Sequence, residues 1–213
     1  MLTKEGFDRW APDYDKTVSR NEKENSYPFA GYQNVLTEIY HRVRSGSGSA
    51  VLDLGFGTAS LTSRLYLDGY EIFGMDFSKD MLCLAKEKMP KAVLAQGDFA
   101  EGLPQELDQR KYDCILGTYS FHHVPVNRRA SFFTGLADHL TEKGQILIGD
   151  VAFRTAEEYE TCHRKFADIW DEDESYFTAQ EFIRQMSDLH LTCAFQPISF
   201  CAGVLTLCRE STK

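Results

Sequence analysis

Residues 51–59 read VLDLGFGTA: a short apolar run, a turn containing two glycines, and the beginning of a longer amphipathic stretch. A short apolar run bounded by a turn is typical of a buried strand. Gly55 and Gly57 permit backbone conformations that other residues rarely adopt, and they let a ligand approach the main chain closely. A strand that turns through glycines into a helix is a common binding element of α/β folds.

The sequence around this stretch alternates regularly. Apolar runs of strand length are followed by amphipathic runs of helical length, which indicates parallel strands with helical crossovers on both faces of one sheet. The predicted strands cover residues 50–54, 71–75, 92–95, 112–118 and 145–150, and the predicted helices include residues 61–67, 81–88 and 129–140.

The alternation ends after residue 150. The sequence T-x-x-E occurs at residues 155–158 and 178–181, and it predicts two successive helices with no strand between them. The last two strand-like runs, residues 191–196 and 200–208, are separated by too few residues for a helical crossover. They are therefore expected to form a hairpin, so that the last strand runs antiparallel to its neighbour.

The domain organisation follows from this pattern. The flexible stretch SGSGS at residues 45–49 separates an N-terminal helical cap, residues 1–48, from the main domain, residues 49–213. A helical insertion at about residues 155–189 is expected to form a lid on that domain.

Carboxylates stand at the ends of three predicted strands. Asp76 follows Gly57 by nineteen residues, a position from which an acid accepts hydrogen bonds from both hydroxyls of a ribose. Asp98 ends the third strand region, where it could accept a hydrogen bond from an adenine amine, and Phe99 could supply an apolar wall. Asp53 lies at the mouth of the glycine turn. In a simpler interpretation, Asp53 only caps this turn and Asp76 only caps the helix that begins near Ser78.

Two features argue against a dinucleotide. The final glycine of the dinucleotide-binding motif is replaced by Ser60, and Asp53 would repel a pyrophosphate at the helix N-terminus. The same carboxylate favours a ligand that carries an ammonium or a sulfonium group.

The segments VLDLGFGTA, FGMDFS, QGDF, YDCILGTYSFHHV and LTEKGQILIGD occur in the order found in class I S-adenosylmethionine-dependent methyltransferases, which this chain resembles over about residues 50–150. The segments FDRWAPDYDKTV, GYQNVL and SFHHV resemble a narrower group, the small YrrT-like bacterial methyltransferases, and extend the likeness to most of the chain.

The resemblance implies a Rossmann-like α/β fold with a seven-stranded sheet of order 3-2-1-4-5-7-6, in which strand 7 is antiparallel. It implies contacts with S-adenosylmethionine at Gly55, Gly57, Asp76 and Asp98. Ala59 departs from the family pattern, because many members carry a third glycine there. The methyl group of Ala59 is expected to crowd helix–strand packing slightly without preventing binding. The expected donor site also includes Tyr14, Asp53, Phe77, Met81, Phe99 and Thr118.

The region after the fourth strand, GTYSFHHV at residues 117–124, is where a parallel sheet places its ligands. His122 is the predicted general base toward an oxygen or nitrogen acceptor, and His123 is the alternative, because alternation turns only one of two adjacent side chains to the pocket. Both histidines could instead shape the pocket, and a thiolate acceptor would need no base. Asp150, Tyr159 and His163 could face the acceptor.

Aromatic side chains could also contact the sulfonium cation through their ring faces. The candidates are Trp10, Tyr14, Tyr119 and Phe121, of which Trp10 and Phe121 could equally well belong to the core.

The composition excludes several other classes. The net charge of −9 makes a nucleic-acid surface unexpected. No apolar run approaches the about 18 residues of a membrane span, and the N-terminus lacks a signal-peptide core, so a cytoplasmic protein is expected. The six scattered cysteines form no C-x-x-C pair, so neither a disulfide framework nor a metal site is predicted. The acidic run at residues 171–174 is interpreted as a solvated loop.

By elimination, the expected partner is a small-molecule methyl acceptor. Two alternatives stay open at this point: a protein that binds S-adenosylmethionine without catalysis, and a nicotinamide-dependent oxidoreductase. The sequence leaves the oligomeric state open as well.

Overall fold

A central β-sheet organises residues 25–210, the part of the chain that the computed structural model describes. The strand order is β3-β2-β1-β4-β5-β8-β7, and the short β6 pairs separately with β5. The strands are β1 (Ala50–Leu54), β2 (Glu71–Asp76), β3 (Val93–Gln96), β4 (Tyr112–Thr118), β5 (Leu140–Phe153), β6 (Phe177–Thr178), β7 (Leu191–Pro197) and β8 (Ala202–Arg209).

The strand directions confirm the Rossmann-like α/β fold. Strands β3, β2, β1, β4 and β5 are parallel, and β8 runs antiparallel to both β5 and β7. Without β6, the order is the one that the family resemblance implies. The described sheet has eight strands rather than seven, because Phe177 and Thr178 pair in parallel with Phe153 and its neighbour Ala152. The expectation that no strand lies between the two helices after β5 is therefore wrong.

Helices cover both faces of the sheet. They are α1 (Tyr32–Ser45), α2 (Thr62–Leu67), α3 (Lys79–Lys88), α4 (Gln105–Asp108), α5 (Val126–Asp138), α6 (Ala156–Lys165) and α7 (Ala179–Ser187). Side chains of α1, α2, α3 and α6 belong to one core cluster, and those of α4, α5 and α7 belong to the other. Within residues 25–210, no helix combines the length and apolar character that crossing a bilayer requires.

The two T-x-x-E sequences begin helices by different means. The Thr155 hydroxyl accepts a hydrogen bond from the Glu158 amide at 3.2 Å, and the Glu158 carboxylate accepts one from the Arg154 amide at 2.8 Å. Thr178 precedes α7, lies in β6 and makes no side-chain cap hydrogen bond. Both helices lie between 155 and 189, where the insertion was predicted. Of the predicted N-terminal cap, residues 1–24 lie outside the described part of the chain.

Helix α1 packs directly on the middle of the sheet. A Cβ atom added to Gly149 in β5 would lie 2.5 Å from both Ile39 Cδ1 and Val35 Cγ1, so this glycine permits the close approach. The same helix carries Tyr32 and Leu36, which line the cavity described below. Gly149 therefore determines how closely α1 covers the site.

Gly149→Ala should lower the free energy of unfolding by about 1–3 kcal/mol, because Val35 and Ile39 must move out of a packed core. Chemical denaturation of the purified variant measures this. Gly135→Ala in α5 is the matched control, because an added Cβ there meets no atom within 4 Å. Alanine in a helix should be neutral or stabilising by about 0.5–1 kcal/mol. Equal effects at the two positions would contradict the packing argument.

Candidate active site

A cavity opens at the carboxyl ends of β1, β2 and β4, where parallel sheets bind their ligands. It encloses about 730 Å³, including the volume at its open mouth. It is lined by the glycine turn after β1, the ends of β2 and β4, and parts of α1, α2 and α3. The lining residues are Tyr32, Leu36, Asp53, Gly55, Phe56, Gly57, Thr58, Ser60, Leu61, Thr62, Asp76, Phe77, Ser78, Met81, Phe99, Thr118, Tyr119, Ser120 and His123.

The two glycines of the turn have different roles. Both have a positive φ, 79° at Gly55 and 52° at Gly57. A Cβ at Gly55 would lie 2.5 Å from the Ser120 Cβ, because the turns after β1 and β4 meet there. The Ser120 hydroxyl holds this junction by donating a hydrogen bond to the Leu54 carbonyl at 2.7 Å. A Cβ at Gly57 would meet no described atom within 4 Å, so Gly57 leaves space for a ligand.

Ala59 has a left-handed backbone conformation, with φ of 56°, and it is completely buried. A side chain in this conformation costs about 1–2 kcal/mol. Crowding between helix and strand is the cost expected from the sequence for replacing glycine here. The structure adds a conformational cost in the backbone, while the Ala59 amide keeps its hydrogen bond to the Phe56 carbonyl at 2.8 Å.

Asp76 joins the loops that follow β1 and β2. Its buried carboxylate accepts hydrogen bonds from the Gly57 amide at 2.8 Å and from the Ser78 amide at 2.9 Å. A carboxylate oxygen can accept more than one hydrogen bond, and this group is therefore of the type that binds ribose hydroxyls. The same side chain therefore shapes the glycine turn and faces the cavity.

Asp53 places a carboxyl group at the base of the cavity with 1% of its surface exposed. One oxygen accepts a hydrogen bond from the Thr62 hydroxyl, and the other, Oδ1, has no hydrogen-bond partner within residues 25–210. Burial, opposed by the Thr62 hydrogen bond and reinforced by the charge of Asp76, raises the pKa of Asp53 to about 7. An acceptor atom buried in this way fits a cationic ligand.

The structure brings together most of the predicted donor site. Asp53, Gly55, Gly57, Asp76, Phe77, Met81, Phe99 and Thr118 all line the cavity. Asp98 does not, because its exposed carboxylate caps the turn Phe99–Glu101 by accepting a hydrogen bond from the Ala100 amide at 2.8 Å. The predicted contacts of Trp10 and Tyr14 lie outside the described residues.

The two adjacent histidines have different surroundings, and the general-base role of His122 stays a prediction. His123 lines the cavity, whereas His122 does not. The buried carboxylate of Asp150, at the end of β5, is 2.7 Å from His122 Nδ1 and accepts a hydrogen bond from the His122 amide at 3.2 Å. These contacts turn the His122 ring toward Glu174, whose Oε1 lies 3.5 Å from Nε2.

The charges of this cluster are interdependent. Burial alone would lower the pKa of His122, but the charge and hydrogen bond of Asp150, followed by those of Glu174, raise it to about 10. Burial, followed by the charge of His122, lowers the pKa of His123 to about 4. Near neutral pH, His122 is therefore a cation between two carboxylates, and His123 is neutral beside the cavity.

Glu174 was not predicted as a functional residue, because the run at 171–174 resembles an exposed acidic loop. The structure corrects this interpretation for Glu174, which is half-buried. Burial raises its pKa, but the hydrogen bond and charge of His122 outweigh burial and lower it to about 2. Tyr176 donates a hydrogen bond to Glu174 Oε2 at 2.5 Å, and the Tyr176 and Tyr27 hydroxyls are 2.5 Å apart.

The remaining candidates lie around this cluster. Phe121 is completely buried against Phe99, Phe132 and Phe133, so it belongs to the core. Tyr159 packs edge-on against Trp170, and His163 pairs with Glu172 at 2.9 Å. Tyr119 has a left-handed φ of 52°. Its ring lines the cavity, whereas the rings of Phe121, Tyr159 and His163 do not.

Comparison with known proteins agrees with this geometry. Residues 51–144 match the family model described as "Methyltransferase domain". The chain is 30% identical over 192 residues to an uncharacterized methyltransferase of Geobacillus kaustophilus, covering 86% of each chain. It is 29% identical over 196 residues to an uncharacterized methyltransferase of Alkaliphilus oremlandii, covering 89% of this chain and 87% of the relative.

Solved structures share the fold. The complex of DhpI with SAH superposes with a TM-score of 0.73 at 18% identity and covers 99% of this chain and 97% of that one. Magnesium protoporphyrin IX methyltransferase from Synechocystis, with bound SAM, has a TM-score of 0.67 at 19% identity and covers 96% and 91%.

The fold and the cavity at its strand ends define a Rossmann-like methyltransferase. The chain belongs to the class I S-adenosylmethionine-dependent methyltransferases and uses S-adenosylmethionine as its methyl donor. This membership removes the nicotinamide-dependent oxidoreductase and the non-catalytic binding protein as alternatives.

Asp76→Ala should lower the affinity for S-adenosylmethionine at least tenfold, because it removes the carboxylate that accepts hydrogen bonds from the ribose. Each hydrogen bond to a charged group contributes about 1.5–3 kcal/mol. Isothermal calorimetry measures the change. Glu71→Ala, at the exposed opposite end of β2, is the matched control and should bind normally. Unchanged affinity in a folded Asp76→Ala variant would place the ribose elsewhere.

Asp53→Asn should stabilise the ligand-free protein and weaken donor binding. A raised pKa costs folding free energy wherever the unfolded group is ionised. The cost is absent below about pH 4 and complete above about pH 7. A tenfold change in proton affinity corresponds to about 1.4 kcal/mol, so the variant gains up to about 4 kcal/mol above that range. Denaturation at several pH values measures the gain.

The exposed Asp68→Asn is the control for Asp53→Asn, and its stability difference from the wild type should not vary in this way with pH. Donor affinity of the wild type should fall as the pH decreases through 7, since the protonated carboxyl loses its attraction for a cation. The decrease should be smaller in Asp53→Asn. Parallel pH profiles of the two proteins would show that Asp53 does not face the donor.

Proposed function

We propose that the protein transfers the methyl group of S-adenosylmethionine to a small molecule that binds beside His123. The observation that carries this proposal is that His123 lines the donor cavity while its neighbour His122 is held by Asp150 and Glu174. S-adenosylmethionine supplies a methyl group on a positively charged sulfur. The protein has to hold both reactants in line and to exclude water.

Donor binding is assigned to the glycine turn and the strand ends. The backbone at Gly57 leaves room for the donor, and Asp53 provides a buried negative charge for its cationic end. Asp76 offers acceptors for the ribose, and Phe77, Met81 and Phe99 provide apolar surface at the cavity wall. Thr118 and Tyr119, at the end of β4, complete the proposed donor site. Asp98 stays a candidate for the adenine amine at the exposed edge.

On the acceptor side, we assign to His123 the contact with the reacting atom. A neutral imidazole accepts a hydrogen bond from a hydroxyl, amine or thiol, and it can orient that group without presenting a positive charge to the sulfonium. His122 is assigned a positioning role through its bonds to Asp150 and Glu174, instead of the base function predicted from the sequence.

The size of the site supports a small acceptor. Helix α1 covers one side through Tyr32 and Leu36, so the reacting centre lies inside a cavity and not on an open surface. The net charge of −9 disfavours an extended nucleic acid as the methylated partner. An acceptor that enters such a cavity is enclosed on several sides, as is usual for small-molecule sites.

A screen of small-molecule acceptors with isotopically labelled donor, followed by mass spectrometry, tests the proposal. His123→Ala should lower turnover of any identified acceptor about 10²-fold or more and leave donor affinity nearly unchanged. His139→Ala is the control, because His139 pairs with Asp108 and does not line the cavity. Normal turnover by His123→Ala would remove His123 from the acceptor site, and methylation restricted to macromolecules would overturn the small-molecule assignment.

A further inference from the structure

Three side chains at the inner end of the site have atoms suited to binding one metal ion. Nitrogen atoms of His122 and His123 and a carboxylate oxygen of Glu174 all lie within 4.8 Å of one another. No sequence motif links them, because Glu174 lies about fifty residues after the histidine pair. We propose that His122, His123 and Glu174 form a binding site for a divalent transition-metal ion, with Zn²⁺ as the representative case. The ion would replace the proton on His122 Nε2, and that proton would be released to solvent.

The spacing between His122 and Glu174 supports this proposal. Their nearest atoms, Nε2 and Oε1, are 3.5 Å apart, which is long for a charge-assisted hydrogen bond. Two ligands bound to tetrahedral zinc at about 2.0–2.1 Å are separated by about 3.3 Å. The contact on the other ring nitrogen is short by comparison, at 2.7 Å between Nδ1 and Asp150. Because the three ligand atoms lie within 4.8 Å of one another, they need to approach by no more than about 1.5 Å to reach this separation.

The surrounding hydrogen bonds are those of a metal-binding histidine. Histidine ligands usually donate their second ring N–H to a carboxylate, which fixes the tautomer and the ring orientation. Asp150 has this position relative to His122, and it is completely buried. Glu174 is oriented in a similar way, since the Tyr176 hydroxyl binds the oxygen that does not face His122.

The ligand types indicate which ions would bind. Two imidazoles and one carboxylate suit zinc, iron, cobalt or nickel better than magnesium or calcium, which prefer oxygen ligands. Three protein ligands also leave a coordination position open, as in catalytic zinc sites. Because His123 lines the donor cavity, an ion held here would border the acceptor space.

A consequence for the acceptor rests on the proposed function. An ion at this position would bind a hydroxyl or carboxylate oxygen of the acceptor, and a hydroxyl bound to a metal loses its proton more readily. In the metal-loaded protein, His123 would therefore contact the acceptor through the ion. This consequence favours acceptors with an oxygen donor.

Metal binding is measured on the whole chain, stripped with a chelator and titrated with Zn²⁺ or Co²⁺ by calorimetry and elemental analysis. We expect one ion per chain, no comparable binding of Mg²⁺, and a Co²⁺ visible spectrum without thiolate charge-transfer bands. His123→Ala and Glu174→Gln should each weaken Zn²⁺ binding at least tenfold, and Asp150→Asn should weaken it about 10–100-fold. His163→Ala, at a separate histidine–glutamate pair, should have no effect.

Either of two results would overturn the metal site: Zn²⁺ affinity unchanged in folded His123→Ala and Glu174→Gln, or a Co²⁺ spectrum showing cysteine ligands. The spectrum is read on the wild type, so it decides the question even if a variant fails to fold. If the protein methylates a small acceptor after a chelator has removed the metal, the ion has only a structural role. The proposed function would still stand. Metal binding without any methylated small molecule would contradict the proposed function alone.

Discussion

The proposed donor site depends on the hydrogen bonds that the Asp76 carboxylate accepts. Parallel pairing brings the ends of β1 and β2 side by side, and the Gly55 amide donates a hydrogen bond to the Met75 carbonyl at 2.8 Å. Asp76 then binds the amides of Gly57 and Ser78, so one side chain fixes both loops. Gly57 has no side chain of its own, and this carboxylate is one of the groups that hold the turn, together with Lys88, which donates a hydrogen bond to the Thr58 carbonyl at 2.6 Å.

Buried negative charge is compensated differently on the two sides of the site. On the inner side, the cation of His122 lies between Asp150 and Glu174. On the donor side, Asp53 has no described cationic partner, and its burial costs folding free energy above neutral pH. In the proposed binding mode, the cationic donor supplies the missing charge when it binds. The protein would then give up stability in the ligand-free state for selectivity toward a positively charged ligand.

Sequence patterns predicted the strands of the main sheet and many of the residues that line the cavity, because both depend on local signals. The periodicity of the apolar residues predicts strand β1, and the spacing along the chain identifies Gly55, Gly57 and Asp76. β6 was missed because two residues give no periodic signal. The different surroundings of His122 and His123 could not be predicted from the sequence, because they depend on Asp150 and Glu174, which are distant in sequence.

The acidic run shows why the inner side of the site was harder to predict. Four consecutive acidic residues resemble an exposed loop, yet the segment that follows α6 folds back so that Ser175 N donates a hydrogen bond to the His122 carbonyl at 3.1 Å. Arg129 holds the same segment through the Ser175 and Tyr176 carbonyls. Glu174 is therefore positioned by backbone contacts that composition does not reveal. The proposed donor site is formed by the strand ends and their loops, whereas the proposed acceptor side combines His123, which follows β4, with Glu174 from the insertion. The sheet therefore constrains the proposed donor site more strictly than the proposed acceptor site, which also depends on the position of the insertion.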